Sequence, residues 1–261
     1  MKKAEPLNWL FMLISLPLIL LLTLPLVKMT FDPSLEMMIK TASDRDVVYA
    51  VARSVGLSFF AAVLAFVMGT PLAYLMARKQ IPGKKLLEGI IDLPIMIPHP
   101  VVGIAILSLT GKSHPIGRFM QEFGIQVMGT RTGIVSVLLF VGLPFYVNTV
   151  KSGFESVPPR LEKASRTLGA GALTTFFRVT FPLTRRYMVL GVIMCTARAI
   201  SEFGAVVIVA YHPMTAPVMI YERFTAYGLK YAQPVAVWLI LVSFALFVVL
   251  RLLSRSTEQN T

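Results

Sequence analysis

The stretch VGLSFFAAVLAFVMGTPLAYLM, residues 55–76, holds 22 consecutive residues without a charged side chain. A helix rises about 1.5 Å per residue, so about 20 apolar residues cross the hydrocarbon core of a bilayer. Backbone groups in lipid must be paired internally, which favours a helix for such a run. We therefore expect an all-α integral membrane protein with six transmembrane helices, in one domain over residues 1–261. The six runs are Trp9–Val27, Val55–Met76, Ile90–Leu109, Thr132–Val150, Tyr187–Ala210 and Val235–Leu253.

The amino-acid composition agrees with this interpretation. Hydrophobic residues make up 56% of the chain and charged residues 15%, against roughly 45–50% and about 25% in soluble domains. Too few polar side chains remain to cover a water-exposed surface, which excludes a large soluble enzyme. Cys195 is the single cysteine, so an internal disulfide and a cysteine-rich metal site are excluded as well.

The net charge of +12 is explained by the expected topology. With both termini in the cytoplasm, fifteen cations fall in inner segments and eight in outer ones, as the positive-inside rule requires. The fifteen include Lys2 and Lys3, which precede the first run. We expect attraction to anionic lipid and no nucleic-acid partner. The first run is too long for a signal peptide and no Ala-x-Ala pattern follows Val27, so we expect it to be retained.

The largest predicted cytoplasmic segment is the loop of residues 151–186. Pro158 and Pro159 suit the start of a short helix, and Gly169 suits its end. A second short helix is expected over residues 172–179, with Pro182 ending it before the next span. Two helices joined at glycines form a compact protrusion that could fit a groove on a partner, and an interfacial helix lying on lipid is an equal alternative. The apolar stripe of the first helix is Leu161, Ala164 and Leu168.

The same loop resembles the cytoplasmic signature of the permease subunits of binding-protein-dependent ABC importers. That signature runs Glu-Ala-Ala, three residues, Gly, nine residues, Ile, one residue, Leu-Pro. Anchored on Gly169, this sequence has residues 163–165 (KAS) at its start, Val179 at the isoleucine and residues 181–182 (FP) at its end. The glycine and the proline fall at the family spacing. Lysine stands in place of the first glutamate, and the acid is displaced to Glu162.

The resemblance implies the type I importer architecture, a homodimer whose translocation pathway lies at the two-fold axis and works by alternating access. Two separate ABC ATPase subunits would bind ATP and magnesium, so this chain is expected to hold no cofactor and to be no enzyme. An extracytoplasmic binding protein would dock on the outer loops, and the loop would seat in a cleft of the ATPase. The residues implied in that coupling are Glu162, Lys163, Ala164, Ser165, Arg166, Gly169, Phe176, Phe177 and Pro182.

Three further stretches narrow the resemblance. Residues 90–100 (IIDLPIMIPHP), 202–205 (EFGA) and 217–224 (PVMIYERF) are similar to permeases for molybdate and tungstate and, next nearest, for sulfate or thiosulfate. These substrates are related tetrahedral oxyanions of like charge. Molybdate or tungstate is therefore the first expectation and sulfate or thiosulfate the alternative, with the external binding protein as the main source of discrimination.

Two features inside the apolar runs are candidates for the pathway and its gate. Arg198 and Glu202 lie four residues apart and share a helix face, where pairing offsets the cost of burying each charge. Three prolines, Pro94, Pro98 and Pro100, interrupt the third run, and the carbonyls that they free must be buried in protein or line a cavity. A structural clamp and a kinked packing helix are the respective alternatives, and we expect His99 to be a packed or hydrogen-bonding side chain. The candidates are Pro98, His99, Pro100, Arg198, Ser201 and Glu202.

Motifs for catalysis or for a resident metal are not evident in the sequence. Gly111-Lys112-Ser113 looks like the end of a phosphate loop, but the required earlier glycine is replaced by Ile106. The three histidines show no metal-ligand spacing, so we expect no metal site. They are His99, His114 and His212.

The rival function is an ion-coupled carrier or channel, which needs an unpaired, titrating acid within a span. The sequence offers Asp92, which suits an interfacial or capping position, and Glu202, which has a candidate partner. A membrane-embedded enzyme is less favoured, because it needs a nucleophile with a nearby base.

Overall fold

The computed structural model describes residues 6–79 and 82–256, and all regular structure in this part of the chain is helical. A π-helical segment, Phe176–Thr180, joins the ninth α-helix to the tenth. The α-helices, numbered in chain order, are α1 Pro6–Phe31, α2 Leu35–Ser43, α3 Arg45–Arg78, α4 Lys84–Met96, α5 His99–Thr110, α6 Pro115–Glu122, α7 Arg131–Ser156, α8 Pro159–Thr167, α9 Ala172–Thr175, α10 Phe181–Ile200, α11 Gly204–Val209, α12 Ala216–Tyr227 and α13 Leu229–Ser256.

Four of these helices are long and apolar enough to cross a membrane, and α4 with α5 makes a fifth candidate if the bent pair counts as one span. Helix α10 is outside this set because Arg185, Arg186 and Arg198 fall within its 20 residues. The all-α prediction is confirmed, with four or five candidate spans among the described residues. Lys2 and Lys3, which were expected in the cytoplasm, lie outside the described residues. The four spans are Trp9–Phe31, Arg45–Arg78, Arg131–Ser156 and Leu229–Leu252.

The third apolar run, predicted as one helix over residues 90–109, forms two helices. The chain bends by 113° between α4 and α5. Ile97 is extended, with φ −76° and ψ 135°, because the ring of Pro98 disfavours helical geometry at the preceding residue. Pro98 then precedes α5 as its N-cap, and Pro100 occupies the first turn, where a missing N–H costs nothing.

The fifth apolar run is also divided, contrary to the prediction of one helix over residues 187–210. Helix α10 ends at Ile200 and α11 begins at Gly204. Glu202 lies one residue before the N-cap Phe203, and its Oε1 atom accepts a hydrogen bond from the Ala205 N–H at 3.0 Å, which satisfies one free donor in the first turn of α11. The divided run places a buried carboxylate between two helices.

The core lies where α3, α7 and α10 pack against one another. Glycines allow this close approach. A Cβ atom on Gly153 of α7 would lie 2.4 Å from both Cβ and Cγ of Tyr187 on α10. Helix α1 lies outside the core, with no buried residue in its most apolar window. The packed centre is therefore built from α3, α7 and α10, and it carries the loop between α7 and α10.

An ion pair joins α3 to α12 at the end of the bundle opposite that loop. Asp44 is the N-cap of α3, and its carboxylate accepts hydrogen bonds from the Asp46 N–H at 3.0 Å and from Arg223 Nη2. Burial raises the pKa of Asp44, but the hydrogen bonds from Arg223 and from the backbone outweigh it, so the pKa lies below its ordinary value. The pair fixes the start of α3 against α12.

Candidate functional site

The α7–α10 loop, residues 157–180, begins with α8, and its turn depends on a glycine. Pro159 is the first residue of α8, and the helix ends at Thr167 with Leu168 as its C-cap. The N–H of Gly169 bonds to the Arg166 carbonyl at 3.0 Å, and the N–H of Ala170 to the Ser165 carbonyl at 3.2 Å. With φ +89° at Gly169, this is a Schellman C-cap, a left-handed position that favours glycine. The predicted helix end at Gly169 is confirmed.

The second half of the loop differs from the prediction. Instead of a separate helix over residues 172–179, the chain stays helical from Ala172 through the π-helical segment and into α10. Pro182 does not stop a helix and lies in the first turn of α10. The wider π turn explains this. The Phe181 N–H bonds to the Phe176 carbonyl, five residues earlier instead of four, so the backbone hydrogen-bond pattern is already shifted by one residue where Pro182 lacks its N–H donor.

Glu162 is the residue that ties the loop to the bundle. Its Oε1 accepts hydrogen bonds from Arg78 Nε at 2.9 Å and Thr180 Oγ1 at 3.0 Å, and its Oε2 accepts one from the Tyr74 hydroxyl at 3.3 Å. Arg78 also donates to the Val157 carbonyl at 2.9 Å. The side chains of Arg78 and Glu162 are only 9% and 14% exposed. The displaced acid of the signature is therefore the carboxylate that anchors α8 to the end of α3.

Sequence reasoning missed the partners of Glu162. In the sequence, Arg78 is one of the fifteen cations assigned to inner segments, and no pattern there indicates a role for Tyr74 or Thr180. No local spacing could have found them, because Arg78 and Glu162 are 84 positions apart in the chain. A basic residue at the end of the second run was the one available signal.

The two phenylalanines of the loop have different environments. Phe176 lies among aromatic rings, with its centroid 5.3 Å from that of Tyr74 and 6.2 Å from that of Phe154. Phe177 is 61% exposed. Ser165 also faces inward, since its hydroxyl lies 3.1 Å from that of Thr175. Phe176 and Ser165 therefore hold the loop together, and Phe177 belongs to its outer surface.

The outer surface of the loop is apolar and basic. The predicted stripe of α8 is exposed and does not face the bundle, and Leu168 is 88% exposed. An exposed apolar set rimmed by polar residues is typical of a surface that binds another protein. Its members are the apolar residues Leu161, Ala164, Leu168, Leu173 and Phe177 and the exposed cations Arg160, Lys163, Arg166 and Arg178.

A second candidate site is the cluster of His99, Arg198 and Glu202, called the Arg198 cluster below. The predicted ion pair is present, with Arg198 Nη2 3.0 Å from Glu202 Oε2. His99 was expected as a packed or hydrogen-bonding side chain, and its Nδ1 lies 2.5 Å from the same carboxylate oxygen. Arg198 Nη2 also lies 2.8 Å from His99 Nε2. The cluster thus joins the start of α5 to the end of α10.

Close backbone packing fixes the position of the cluster. A Cβ atom on Gly204 would lie 2.9 Å from His99 Cβ and 3.3 Å from Pro100 Cδ. Ser201 is exposed beside the cluster, and its hydroxyl donates to the Arg198 carbonyl at 3.1 Å. Pro98 is exposed at the bend between α4 and α5. The six candidate pathway residues are therefore brought to one region, where α5 and the α10–α11 break meet.

The other acid considered from sequence, Asp92, accepts a hydrogen bond from Asn148 Nδ2 at 2.7 Å. Among residues 6–79 and 82–256, no group of three or more His, Cys, Asp or Glu side chains is placed to hold a metal ion. The described residues offer an exposed apolar and basic surface on the loop and a hydrogen-bonded charged group at the Arg198 cluster.

Comparison with known proteins gives a consistent set of relatives. Residues 69–259 match the family described as "Binding-protein-dependent transport system inner membrane component". The "Molybdate/tungstate transport system permease protein WtpB" of Pyrococcus furiosus is 42% identical over 217 residues, covering 83% of this chain and 82% of that protein. Its Methanocaldococcus jannaschii counterpart is 40% identical over 212 residues, covering 81% and 84%.

Lower similarity is seen to a sulfate permease and to a solved structure. The "Sulfate transport system permease protein CysT" of Synechocystis is 34% identical over 193 residues, covering 72% of this chain and 68% of that protein. A bacterial alginate ABC transporter, solved with its alginate-bound periplasmic protein, has a chain that aligns with a TM-score of 0.72 at 16% identity. The alignment covers 97% of this chain and 95% of that one, so the fold is shared.

Proposed function

The chain belongs to the family of binding-protein-dependent transport system inner membrane components, and from this premise we propose that it is the permease subunit of an ATP-driven importer for molybdate and tungstate. The observation that carries the proposal is 40–42% identity to two molybdate/tungstate permeases over more than four-fifths of the chain. The sulfate permease, at 34% identity, supports sulfate or thiosulfate as the second candidate substrate.

In the membrane the chain would cross six times, through α1, α3, the bent α4–α5 pair, α7, α10 and α13. Helix α10 carries Arg185, Arg186 and Arg198, and Arg185 and Arg186 would lie at the lipid headgroups near its start. Both termini and the α7–α10 loop would then be cytoplasmic. Two copies of the chain would form the transporter around a shared pathway.

The α7–α10 loop would dock on a separate ATPase subunit, which binds ATP and magnesium, and this chain would carry no nucleotide site. The exposed leucines and Phe177 suit an apolar cleft on that partner, and the surrounding cations suit acidic residues at its rim. Glu162 and Phe176 would pass the movement of the docked loop to α3 and α10. An extracytoplasmic oxyanion-binding protein would deliver substrate at the opposite end, and binding of each partner would shift the inward–outward equilibrium.

The class of transporter is tested by reconstitution. The permease, its ATPase and its binding protein are placed in liposomes, and molybdate uptake is followed with ATP and, separately, with an ion gradient alone. We expect uptake to require ATP and the ATPase. Uphill uptake by the purified permease with an ion gradient and no ATPase would contradict the proposal. Competition by tungstate and by sulfate in the same assay ranks the substrates.

The role of the loop is tested at Gly169. Gly169→Glu should lower ATP-driven uptake about tenfold, because a left-handed residue with a Cβ costs about 1–2 kcal/mol and the side chain projects from the docking surface. Copurification of the ATPase and uptake are measured together.

Gly171→Ala is the matched control, since Gly171 lies two residues further on, has φ −66° and has open space around it. Gly169→Ala separates backbone strain from side-chain bulk. If Gly169→Glu assembles and transports like Gly171→Ala, the loop is not the coupling element.

A further inference from the structure

The three side chains of the Arg198 cluster are exposed to different extents, and this difference bears on how an anion would cross the membrane. The side chain of Glu202 is 1% exposed, whereas those of Arg198 and His99 are 21% and 33% exposed. The exposed Ser201 hydroxyl lies next to them. The Ser201 hydroxyl donates to the Arg198 carbonyl, whereas the Arg198 guanidinium has N–H groups besides those of Nη2, the atom that contacts Glu202 and His99. The accessible face of the cluster, called the donor face below, therefore carries guanidinium N–H donors, with the carboxylate hidden beneath them.

A guanidinium that is partly exposed in a membrane-spanning chain cannot face hydrocarbon without a large penalty. The exposed side of Arg198 must face a second protein surface or a water-filled passage. The bend at Pro98 and the break after Ile200 bring non-helical backbone to the same place, and such backbone is tolerated at membrane depth where it lines a cavity. Both observations are accounted for if the donor face lines a passage.

We propose that the donor face of the Arg198 cluster is a transient binding site for a tetrahedral oxyanion, and that buried Glu202 sets how weakly the anion is held there. This inference rests on the proposed import function. An oxyanion such as molybdate only accepts hydrogen bonds, which matches a face made of donors. Conduction also requires that a site release its ion. Glu202 neutralises Arg198 and already accepts the Ala205 N–H, so the carboxylate lowers the affinity without facing the anion.

The inference is tested with Glu202→Gln, a substitution of equal shape. The amide oxygen can still accept the Ala205 N–H and the side-chain volume is unchanged, while the negative charge and the acceptor for Arg198 are lost. We expect the permease–ATPase complex, without the binding protein, to bind molybdate at least about tenfold more tightly, and the maximal rate of ATP-driven uptake to fall by a similar factor. The apparent KM should fall along with the rate.

The double variant Arg198→Gln with Glu202→Gln has no net change in charge and serves as the second test. It should assemble with the ATPase, bind molybdate no more tightly than the original protein, and transport at least about tenfold more slowly, because the charged donor is lost. Lys85→Gln is the control, since it removes an exposed cation in the first turn of α4, which belongs neither to the cluster nor to the outer loops.

The outcomes separate this inference from the function on which it rests. ATP-driven uptake by the original protein and by Lys85→Gln tests the import function alone. If both transport, and Glu202→Gln shows neither tighter molybdate binding nor a lower maximal rate, the Arg198 cluster is a structural clamp and the binding site is wrong. A Glu202→Gln protein that loses uptake without any gain in molybdate affinity overturns the inference as well.

Discussion

Replacing Glu162 with alanine is expected to reduce ATP-driven uptake roughly a hundredfold. The substitution removes the acceptor of three hydrogen bonds and leaves Arg78, whose side chain is 9% exposed, without its carboxylate partner. Breaking a buried ion pair from one side costs about 3 kcal/mol or more, which is roughly a hundredfold shift toward a detached loop. ATP hydrolysis by the complex should continue while uptake stops, so both rates are measured in the same preparation.

The matched control is Glu155→Ala, seven residues earlier in the chain. Glu155 is also paired with a cation, Lys151, but at 3.8 Å and with 46% of its side chain exposed, so its removal should change uptake little. The double variant Arg78→Ala with Glu162→Ala should be less impaired than the sum of the two single changes, because no charge is left unpaired. Equal uptake by Glu162→Ala and Glu155→Ala would show that the carboxylate does not anchor the loop.

The second large effect is expected on folding, from Gly153→Ala in α7. The added Cβ would lie 2.4 Å from two atoms of Tyr187, one of them the Cβ atom, which cannot move without the α10 backbone. Overpacking of this kind costs about 1–3 kcal/mol, and the helices that must separate are those that carry the loop. The yield of monodisperse protein in detergent and its midpoint of thermal unfolding are measured.

Gly56→Ala is the control for this experiment, because Gly56 is also helical and has no atom within 4 Å of a built Cβ. It should be neutral or slightly stabilising, since alanine is the better helix former. Adding Tyr187→Gly to Gly153→Ala should recover part of the yield by removing the clash. A Gly153→Ala protein as stable as Gly56→Ala would mean that α7 and α10 are further apart than described.

Much of the helical framework follows from the sequence, and the contacts between helices do not. The runs at residues 9–27, 55–76, 132–150 and 235–253 each fall within one long helix, because a predominantly apolar run of that length has one stable form in lipid. The runs at 90–109 and 187–210 were wrong as single helices. Prolines indicated a disturbance in the first, and the capping role of Glu202 in the second could not be read from spacing alone.

The candidate sites show the same limit. The Gly169 turn and the Arg198–Glu202 pair were found because both are local, set by a left-handed cap and by four-residue spacing. The partners Arg78 and His99 lie 84 and 103 positions from the acids that they contact. A helix that is apolar on all sides has no preferred face, so its sequence does not fix how it is rotated toward its neighbours. The contacts of Arg78 with Glu162 and of His99 with Glu202 could therefore be identified only from the three-dimensional structure.

The unbroken helical course from Ala172 to Ile200 has a mechanical consequence. Twenty-nine residues at about 1.5 Å each give a rod about 43 Å long, with the loop at one end and Arg198 near the other. A tilt of about 5° around one end displaces the other by about 4 Å over this length. In the importer proposed above, the segment would act as a lever arm, because a small rotation imposed at its loop end would be amplified into a displacement large enough to open or close a passage for a small anion.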